Sequence, residues 1–277
     1  MGRELRNCNK KYSMNNNSER DTWLQNNDTD QNANKQQPKD KDHGAGFNPV
    51  ITNCVAYFGA AVFFLIGFNV AVLPELPPPS IGSLLPESLL NYWQETAVLP
   101  LLLWGIHYTK RFAECLFVHI YYRKMSCVEA YGASIYYWGF GLWIGWAMNF
   151  HLGYLTPHPG IFYPGLVLFV TGMLGNLYCH IRLRQMRERQ PDHTKVIPRG
   201  MFFDSVSCPH YSFEVLTWLG FSICSFTLAA FVFFLATFLV LLLYSTKKHN
   251  AYTKMFNGRE RGVSYPVERK ILIPLIY

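Results

Sequence analysis

Three long stretches without a charged side chain constrain this chain more than any other feature. They cover residues 50–73, 160–181 and 215–246. Because a helix that crosses a bilayer needs about 20 apolar residues, each stretch is long enough to span one. Charged residues make up 16% of the chain, against about 25% in an average soluble domain. We therefore predict an all-α polytopic membrane protein.

The third stretch predicts a helical hairpin rather than one helix. As a single helix its 32 residues would extend about 48 Å, beyond a hydrocarbon core of about 30 Å. Basic residues predominate in 182–199 and again after Ser245, and positive flanks favour the cytosolic side. We expect two short helices that share the stretch, with a bend near Ser225–Thr227. Apolar runs at about 89–106 and 128–150 bring the expected bundle to about six to seven transmembrane helices.

Composition also divides the chain and excludes some classes of site. Residues 1–46 are rich in Asn, Asp, Gln and Lys and are predicted to be a disordered tail, followed by a membrane-embedded domain over 47–277. The seven cysteines form no CxxC pair, so we predict neither a metal site nor a disulfide framework. The net charge of +7 lies beside the apolar runs, which is not the pattern of a nucleic-acid-binding protein.

A polar segment leads into the longest apolar run and predicts a functional helix start. Pro209 suits the first turn of a helix, so we expect the helix to begin near Ser207 or Cys208. His210, Tyr211 and Glu214 then share one face, and Trp218 continues it. Such an end can bind an anion such as a cofactor phosphate. The alternative is an interfacial helix start with aromatic anchors and a solvated Glu.

Further polar groups lie within or beside apolar runs. Glu95 is the only charge in the run 89–106, so it should face a polar cavity, be neutral, or lie near the interface. A second group follows that run and consists of His107, Tyr108 and Arg111. A third group forms a helical stripe of Asn176, His180, Arg184 and Arg187. A fourth group lies in the C-terminal segment and consists of Lys248, His249, Tyr252 and Phe256. Interfacial girdles and surface helices are the alternatives for the second and fourth groups.

At these residues the chain resembles the steroid 5-alpha-reductase family, including the very-long-chain trans-2-enoyl-CoA reductases, over about 89–277. The motif Ser207-Cys-Pro-His-Tyr-Ser-Phe-Glu214 is similar to the enoyl-CoA reductase pattern Ser-Cys-Pro-Asn-Tyr-x-x-Glu. Motifs at 107–111, 117–119 and 137–140 also resemble enoyl-CoA reductases. Motifs at 171–176 and 197–200 are closer to the steroid reductases. His210 stands where the family usually has Asn.

The resemblance implies an NADPH-dependent reduction of a C=C bond conjugated to a carbonyl, with a catalytic region over about 126–277. Carried over by position, Tyr211 is the first candidate proton donor, Tyr108 the second, and Glu95 the intramembrane acid. The implied cofactor-binding residues are Asn176, Arg184, Arg187, His210, Glu214, His249 and Tyr252. The resemblance also implies a lipid-like substrate, other fatty acid elongation enzymes as partners, and an endoplasmic reticulum membrane location with a cytosolic C-terminus.

Several functions stay open. We place trans-2-enoyl-CoA reduction in very-long-chain fatty acid elongation ahead of steroid 5-alpha reduction. Membrane methyltransferases that use S-adenosylmethionine share a Pro-x-Tyr motif and a Glu before a terminal helical pair, but they lack the upstream motifs. Tyr108 follows Glu95 by 13 residues, where the family has a longer insert, so an inactive scaffold paralogue is the non-enzyme alternative.

Overall fold

The computed structural model describes residues 46–72, 98–150, 159–189, 195–258 and 263–273. The helices in these ranges are, in chain order, α1 (Pro49–Val72), α2 (Val98–Phe117), α3 (Cys127–Phe150), α4 (Pro159–Glu188), α5 (Phe202–Ser205), α6 (Pro209–Ser225) and α7 (Leu228–Met255). Within the same ranges, β pairing amounts to three isolated bridges. The predicted all-helical class is confirmed. The N-terminal tail up to residue 45 and Glu95 lie outside the described residues.

Three of the described helices are long and apolar enough to cross a membrane: Pro49–Phe68 of α1, Gly160–Glu188 of α4, and Leu228–Met255. Their outward faces support this reading, because Ile51, Val55 and Phe58 of α1 are exposed and would contact lipid. Helices α2 and α6 are shorter, with 20 and 17 residues, and α3 is rich in Gly, Tyr and Trp. The expected six to seven spans would have to include these helices.

Helix α2 differs from what the sequence analysis predicted. We expected the apolar run of residues 89–106 to end near Ile106. Instead one helix runs unbroken from Val98 to Phe117. It continues because its polar residues find partners inside the bundle: His107 and Glu114 are each 1% exposed.

The predicted hairpin is present, and its bend lies where we expected it. Helix α6 ends at Ser225, and Phe226 adopts a left-handed conformation with φ of 49°, after which α7 begins at Leu228. The two helices are not both short, however. Helix α6 starts before the apolar run, at Pro209 with Cys208 as the N-cap, and α7 extends past it to Met255, through 28 residues. Because α6 and α7 include residues beyond both ends of the uncharged run, they do not have to share its 32 residues.

Glycine allows two helix pairs to approach closely. Gly145 of α3 lies against the backbone of α1, where a Cβ would clash with the Phe64 carbonyl oxygen. Gly220 of α6 lies in the same way against α4, where a Cβ would clash with the Phe169 amide nitrogen. Both contacts are with backbone atoms, which cannot move aside as a side chain can. The pairs α1–α3 and α4–α6 are therefore fixed at short range.

An aromatic core joins these two pairs, and Trp104 of α2 is at its centre. The Trp104 indole N–H donates to the Ala60 carbonyl oxygen at 3.1 Å. Its ring lies 5.0 Å from Phe64 of α1, 5.4 Å from Trp218 of α6 and 5.6 Å from Phe233 of α7, measured between centroids. The segment before α6 is held separately, since the Ser207 N–H donates to the Lys270 carbonyl oxygen at 2.8 Å.

The described residues fall into two compact units. Residues 46–249 with 269–273 belong to one unit, which contains the core described above. Residues 250–258 and 263–268 belong to the other. In that second unit the Tyr252 ring stacks on Tyr265 at 5.7 Å, and the Tyr265 N–H donates to the Phe256 carbonyl oxygen at 2.8 Å.

We predict that Gly145→Leu destabilises the protein while Gly132→Leu does not. The leucine at 145 must push α1 away from α3, and overpacking of this kind costs about 1–3 kcal/mol. Gly132 is a matched control on the same helix, because a Cβ there meets no atom within 4 Å. The midpoint of thermal unfolding in detergent would measure the difference. Equal midpoints for the two variants would contradict the close packing.

Candidate active site

The inward face of α2 carries the polar residues from which the site is built. His107, Tyr108 and Glu114 are 1%, 2% and 1% exposed. His107, Arg111 and Glu114 follow each other at intervals of four and three residues, so they share one helix face. Because a buried charge is costly unless it is paired, the partners of these side chains define the site.

The first group joins α2 to α6 through Glu214. The Glu214 Oε1 atom lies 3.2 Å from the Nε2 atom of His107, and the Trp218 indole N–H donates to it at 3.1 Å. The His107 and Trp218 rings are 4.4 Å apart between centroids. Glu214 Oε2 and His107 Nδ1 are buried and have no hydrogen-bond partner among the described residues. The pair therefore keeps one acceptor and one ring nitrogen available to a bound molecule.

Tyr108 lies beside this pair in an aromatic cage. Its ring is 4.8 Å from Trp104, 5.9 Å from Trp218 and 5.8 Å from Tyr137, and Tyr57 completes the cage at 6.0 Å. The Tyr108 hydroxyl is buried and has no hydrogen-bond partner within the described part of the chain. Leaving such a group unpaired costs about 1–3 kcal/mol. A ligand that accepts a hydrogen bond from this hydroxyl would remove that cost.

The second group surrounds Glu114, which the sequence analysis did not select. The Arg111 guanidinium donates to Glu114 Oε2 at 2.7 Å. On the other carboxylate oxygen, the Nδ1 atom of His180 lies at 3.1 Å and the Lys110 ammonium at 3.4 Å. Arg111 also donates to the Tyr57 hydroxyl at 2.9 Å. Glu114 thus compensates two cations below the surface of the bundle.

Asn176 links this network to the start of α6. The Lys110 ammonium donates to Asn176 Oδ1 at 2.5 Å, and the Asn176 amide donates to the His210 carbonyl oxygen at 2.8 Å. His180, on the same face of α4, has its ring 5.7 Å from the His210 ring. The structure therefore brings together Tyr108, Asn176, His210 and Glu214, four of the residues predicted for the site.

The Glu114 network also contains a geometric arrangement that resembles a metal site. Ligand atoms of Glu114, His119 and His180 lie within 4.8 Å of one another. The Lys110 and Arg111 side chains already contact the Glu114 carboxylate, however, so a divalent cation would meet two positive charges there. Burial, with the positive charge of Arg111 and the neighbouring His180, lowers the pKa of His119 to about 3, so its ring is neutral at pH 7. We interpret the group as an ion-pair network, and the absence of a metal stays a prediction.

The other predicted residues lie around these two groups or apart from them. Arg184 donates to the Phe117 carbonyl oxygen, and Arg187 donates to that of Ile120 at 2.9 Å. Both arginines therefore hold the segment that leaves α2.

Tyr211 lies beneath the Lys248 ammonium, 4.6 Å from its ring centroid. The Nδ1 atom of His249 is 2.7 Å from the Ser207 hydroxyl. Tyr252 belongs to the second compact unit. Glu95 lies outside the described residues.

Sequence reasoning missed Glu114 and Lys110, together with the cage residues Tyr57 and Trp104. One signal was available for Glu114, because it follows His107 by seven residues and Arg111 by three. That spacing places the carboxylate on the face already assigned to the site. The cage residues carried no comparable signal, since single aromatic side chains in apolar runs are common.

The chain is similar to known proteins over more than half of its length. Residues 123–277 match the family described as 3-oxo-5-alpha-steroid 4-dehydrogenase. The chain is 37% identical over 177 residues to the very-long-chain enoyl-CoA reductase of Dictyostelium discoideum, a match that covers 64% of this chain and 57% of the relative. It is 34% identical over 181 residues to the probable very-long-chain enoyl-CoA reductase art-1 of Caenorhabditis elegans, covering 62% and 56%.

A steroid enzyme is also similar. The chain is 31% identical over 194 residues to 3-oxo-5-alpha-steroid 4-dehydrogenase 1 of Mus musculus, covering 70% of this chain and 68% of the relative. The chain spans just over half the length of the two enoyl-CoA reductases.

We predict that Glu114→Ala lowers the free energy of unfolding by about 3–5 kcal/mol, because it leaves Arg111 and Lys110 without their buried counter-charge. Glu188→Ala is the matched control. Glu188 pairs with Arg184 at 2.7 Å at the surface, where an ion pair contributes about 0–1 kcal/mol. Thermal unfolding in detergent compares the two variants. A Glu114 variant as stable as the Glu188 variant would show that the network is not needed for folding.

Proposed function

Because the chain belongs to the 3-oxo-5-alpha-steroid 4-dehydrogenase family, we propose that it is an NADPH-dependent reductase of a C=C bond conjugated to a carbonyl. The proposed substrate is a trans-2-enoyl-CoA of very-long-chain fatty acid elongation. Two similar relatives carry names of that activity. The chain spans just over half of each, so the activity of those proteins reaches this chain as a proposal.

The residues present fit a nicotinamide cofactor. Glu214 Oε2 and His210 Nδ1 are buried on the first turns of α6 and have no hydrogen-bond partner among the described residues. Such atoms suit a ligand that carries both donors and acceptors. We propose that these two residues and Asn176 hold the cofactor close to α6. When bound, the cofactor supplies a hydride to the β carbon of the substrate.

The single observation that carries the proposal is the buried, unpartnered Tyr108 hydroxyl beside the Glu214–His107 pair. Reduction of an enoyl thioester builds negative charge on the carbonyl oxygen, and a phenol that donates to that oxygen stabilises it. We propose that Tyr108 donates to this oxygen and that its proton then passes to the α carbon, which completes the reduction; the phenolate left behind takes up a proton from solvent once the product leaves. In this arrangement Glu214 orients His107, and the aromatic cage excludes water from the Tyr108 hydroxyl.

Tyr211 and Glu95 remain proposed catalytic residues, ranked behind Tyr108. Tyr211 is half-buried beneath Lys248, which suits a contact with an anionic ligand as well as proton donation. We propose that Arg184, Arg187 and His249 contribute to binding the phosphates. Tyr252, in the second compact unit, stays a predicted cofactor-binding residue. Cations at the ends of α4 and α7 support NADPH over NADH, because the extra phosphate adds negative charge.

Steroid 5-alpha reduction is the second candidate. The mouse steroid enzyme is matched over 68% of its length. Steroid 5-alpha reduction needs the same hydride and proton transfers as enoyl-CoA reduction. The methyltransferase alternative is set aside because it does not agree with the family of the chain. For location, we propose the endoplasmic reticulum membrane with a cytosolic C-terminus. Arg182–Arg199 and the segment after Ser245, both rich in basic residues, support that side.

We predict that Tyr108→Phe lowers kcat for trans-2-hexadecenoyl-CoA by about 10²–10⁴-fold, the usual contribution of a general acid. Tyr131→Phe is the matched control, because Tyr131 is 60% exposed on α3. NADPH oxidation by detergent-purified protein, with testosterone run in parallel, gives the measurement. NADPH binding should persist in the variant, which separates loss of chemistry from loss of the cofactor.

Other outcomes would each revise the proposal. Full activity in Tyr108→Phe with loss in Tyr211→Phe would transfer the donor role to Tyr211. Turnover of testosterone alone would assign the chain to steroid reduction. No turnover and no NADPH binding would favour the inactive scaffold.

A further inference from the structure

The Lys110 side chain of α2 lies inside the bundle between acceptors from two helices. It is 11% exposed, its ammonium is 3.4 Å from Glu114 Oε1, and it donates to Asn176 Oδ1 of α4 at 2.5 Å. Glu114 has a second cation, because Arg111 donates to its other oxygen at 2.7 Å. The Glu114 carboxylate would therefore keep a counter-charge without Lys110, and the contact with Asn176 needs its own explanation.

The Lys110 ammonium fixes which way the Asn176 amide points. An amide has an acceptor oxygen and a donor nitrogen, whereas an ammonium only donates and a carbonyl oxygen only accepts. With Lys110 on one side and the His210 carbonyl oxygen on the other, a single orientation of the amide forms both bonds. In that orientation the Asn176 nitrogen donates to the His210 carbonyl oxygen at 2.8 Å. Asn176 is 1% exposed, so bulk water offers it no other partner.

The first turn of α6 depends on contacts of this kind. An N-cap side chain usually binds the unpaired N–H groups at a helix start, but Cys208, the N-cap of α6, makes no such bond within the described part of the chain. On one side of the turn, the Ser212 hydroxyl donates to the Leu272 carbonyl oxygen. The Asn176 amide supplies a contact from the interior of the bundle. The position of this turn is therefore set by residues outside it.

Two bridges join α2 to this part of α6. His107 contacts Glu214 directly at 3.2 Å, and Lys110 reaches the His210 carbonyl oxygen through one intervening amide. The bridges leave α2 three residues apart and reach α6 four residues apart, so each pair lies on one helix face. Tyr108 is on α2, while the Glu214 Oε2 and His210 Nδ1 atoms, without partners among the described residues, are on α6. The bridges thus fix these atoms relative to Tyr108.

We propose that Lys110 is a positioning residue, which acts through Asn176 to hold the first turn of α6 where His210 and Glu214 bind the cofactor. Lys110 touches neither the cofactor nor the substrate in this role. The effect on the cofactor rests on the proposed reductase function, whereas the effect on the turn does not. Loss of the Lys110 ammonium would displace the cofactor-binding atoms of α6 and leave Tyr108 in place on α2.

The test compares Lys110→Met with Lys124→Met, which changes an exposed lysine outside the network. Methionine cannot donate a hydrogen bond, so the Asn176 amide loses the contact that orients it. We expect Lys110→Met to raise the Kd for NADPH about tenfold, the usual effect of losing a hydrogen bond to a charged group. At saturating NADPH, kcat for trans-2-hexadecenoyl-CoA should change by less than about threefold. Lys124→Met should leave the Kd within about twofold.

A double-mutant cycle shows whether Lys110 acts through Asn176. Asn176→Ala removes both contacts of the amide, so adding Lys110→Met to it should raise the Kd for NADPH no further. Additive increases in Kd would overturn the inference. An unchanged Kd in Lys110→Met, or a loss confined to kcat, would also overturn it.

A second variant covers the case in which Lys110→Met does not fold. In Asn176→Asp the carboxylate still accepts from the Lys110 ammonium, but it has no hydrogen to donate to the His210 carbonyl oxygen. The same rise in Kd for NADPH is expected, because the link to α6 is broken at its other end. An unchanged Kd in this variant would contradict the positioning role.

Hydrogen–deuterium exchange of the unliganded protein provides a readout that needs neither cofactor nor turnover. The amides of residues 210–216 should exchange faster in Lys110→Met and in Asn176→Asp, while exchange in α7 stays unchanged. Exchange over 210–216 that is no faster in either variant would overturn the inference. Faster exchange there, in a protein whose unsubstituted form does not bind NADPH, would support the positioning of the turn and overturn the proposed function instead.

Discussion

The buried carboxylate of Glu114 is the constraint on which the rest of this structure depends. Helix α2 turns several charged or titratable side chains inward, among them His107, Arg111 and Glu114, and a low-dielectric interior tolerates them only with partners in place. The partners come from other helices: Tyr57 of α1 for Arg111, His180 of α4 for Glu114, and Glu214 of α6 for His107. Four helices are therefore held in one arrangement by polar contacts that none of them could satisfy alone.

The aromatic core packs against the side chains that these contacts hold in place. Trp104 contacts Phe64, Trp218 and Phe233, and its indole N–H is anchored on α1. Tyr108 lies 4.8 Å from the same ring, next to His107 in the chain. Because this packing leaves Tyr108 only 2% exposed, its unpartnered hydroxyl is shielded from both solvent and lipid.

Much of this arrangement could be predicted, for identifiable reasons. Pro209 located the start of α6, because a helix start depends on neighbouring residues. The 32-residue uncharged run located the bend at Phe226, because bilayer thickness limits the length of one span. The continuity of α2 could not be predicted in the same way. Taken alone, His107, Lys110 and Arg111 suggest the end of a span. The helix continues because these side chains have partners: Glu114 one turn along α2, Asn176 of α4 and Glu214 of α6. The family resemblance made Tyr211 the first candidate donor and Tyr108 the second, but only the structure distinguishes the caged hydroxyl of Tyr108 from the half-buried ring of Tyr211 beneath Lys248.

The two glycine contacts have a consequence for how the bundle can move. Gly145 of α3 lies against the backbone of α1, and Gly220 of α6 lies against the backbone of α4. Since backbone atoms cannot move aside, each of these pairs would move as one rigid body. The cage around Tyr108 takes Tyr57 and Tyr137 from the first pair and Trp218 from the second, so a motion that exposes the Tyr108 hydroxyl would displace one pair relative to the other and leave each pair intact.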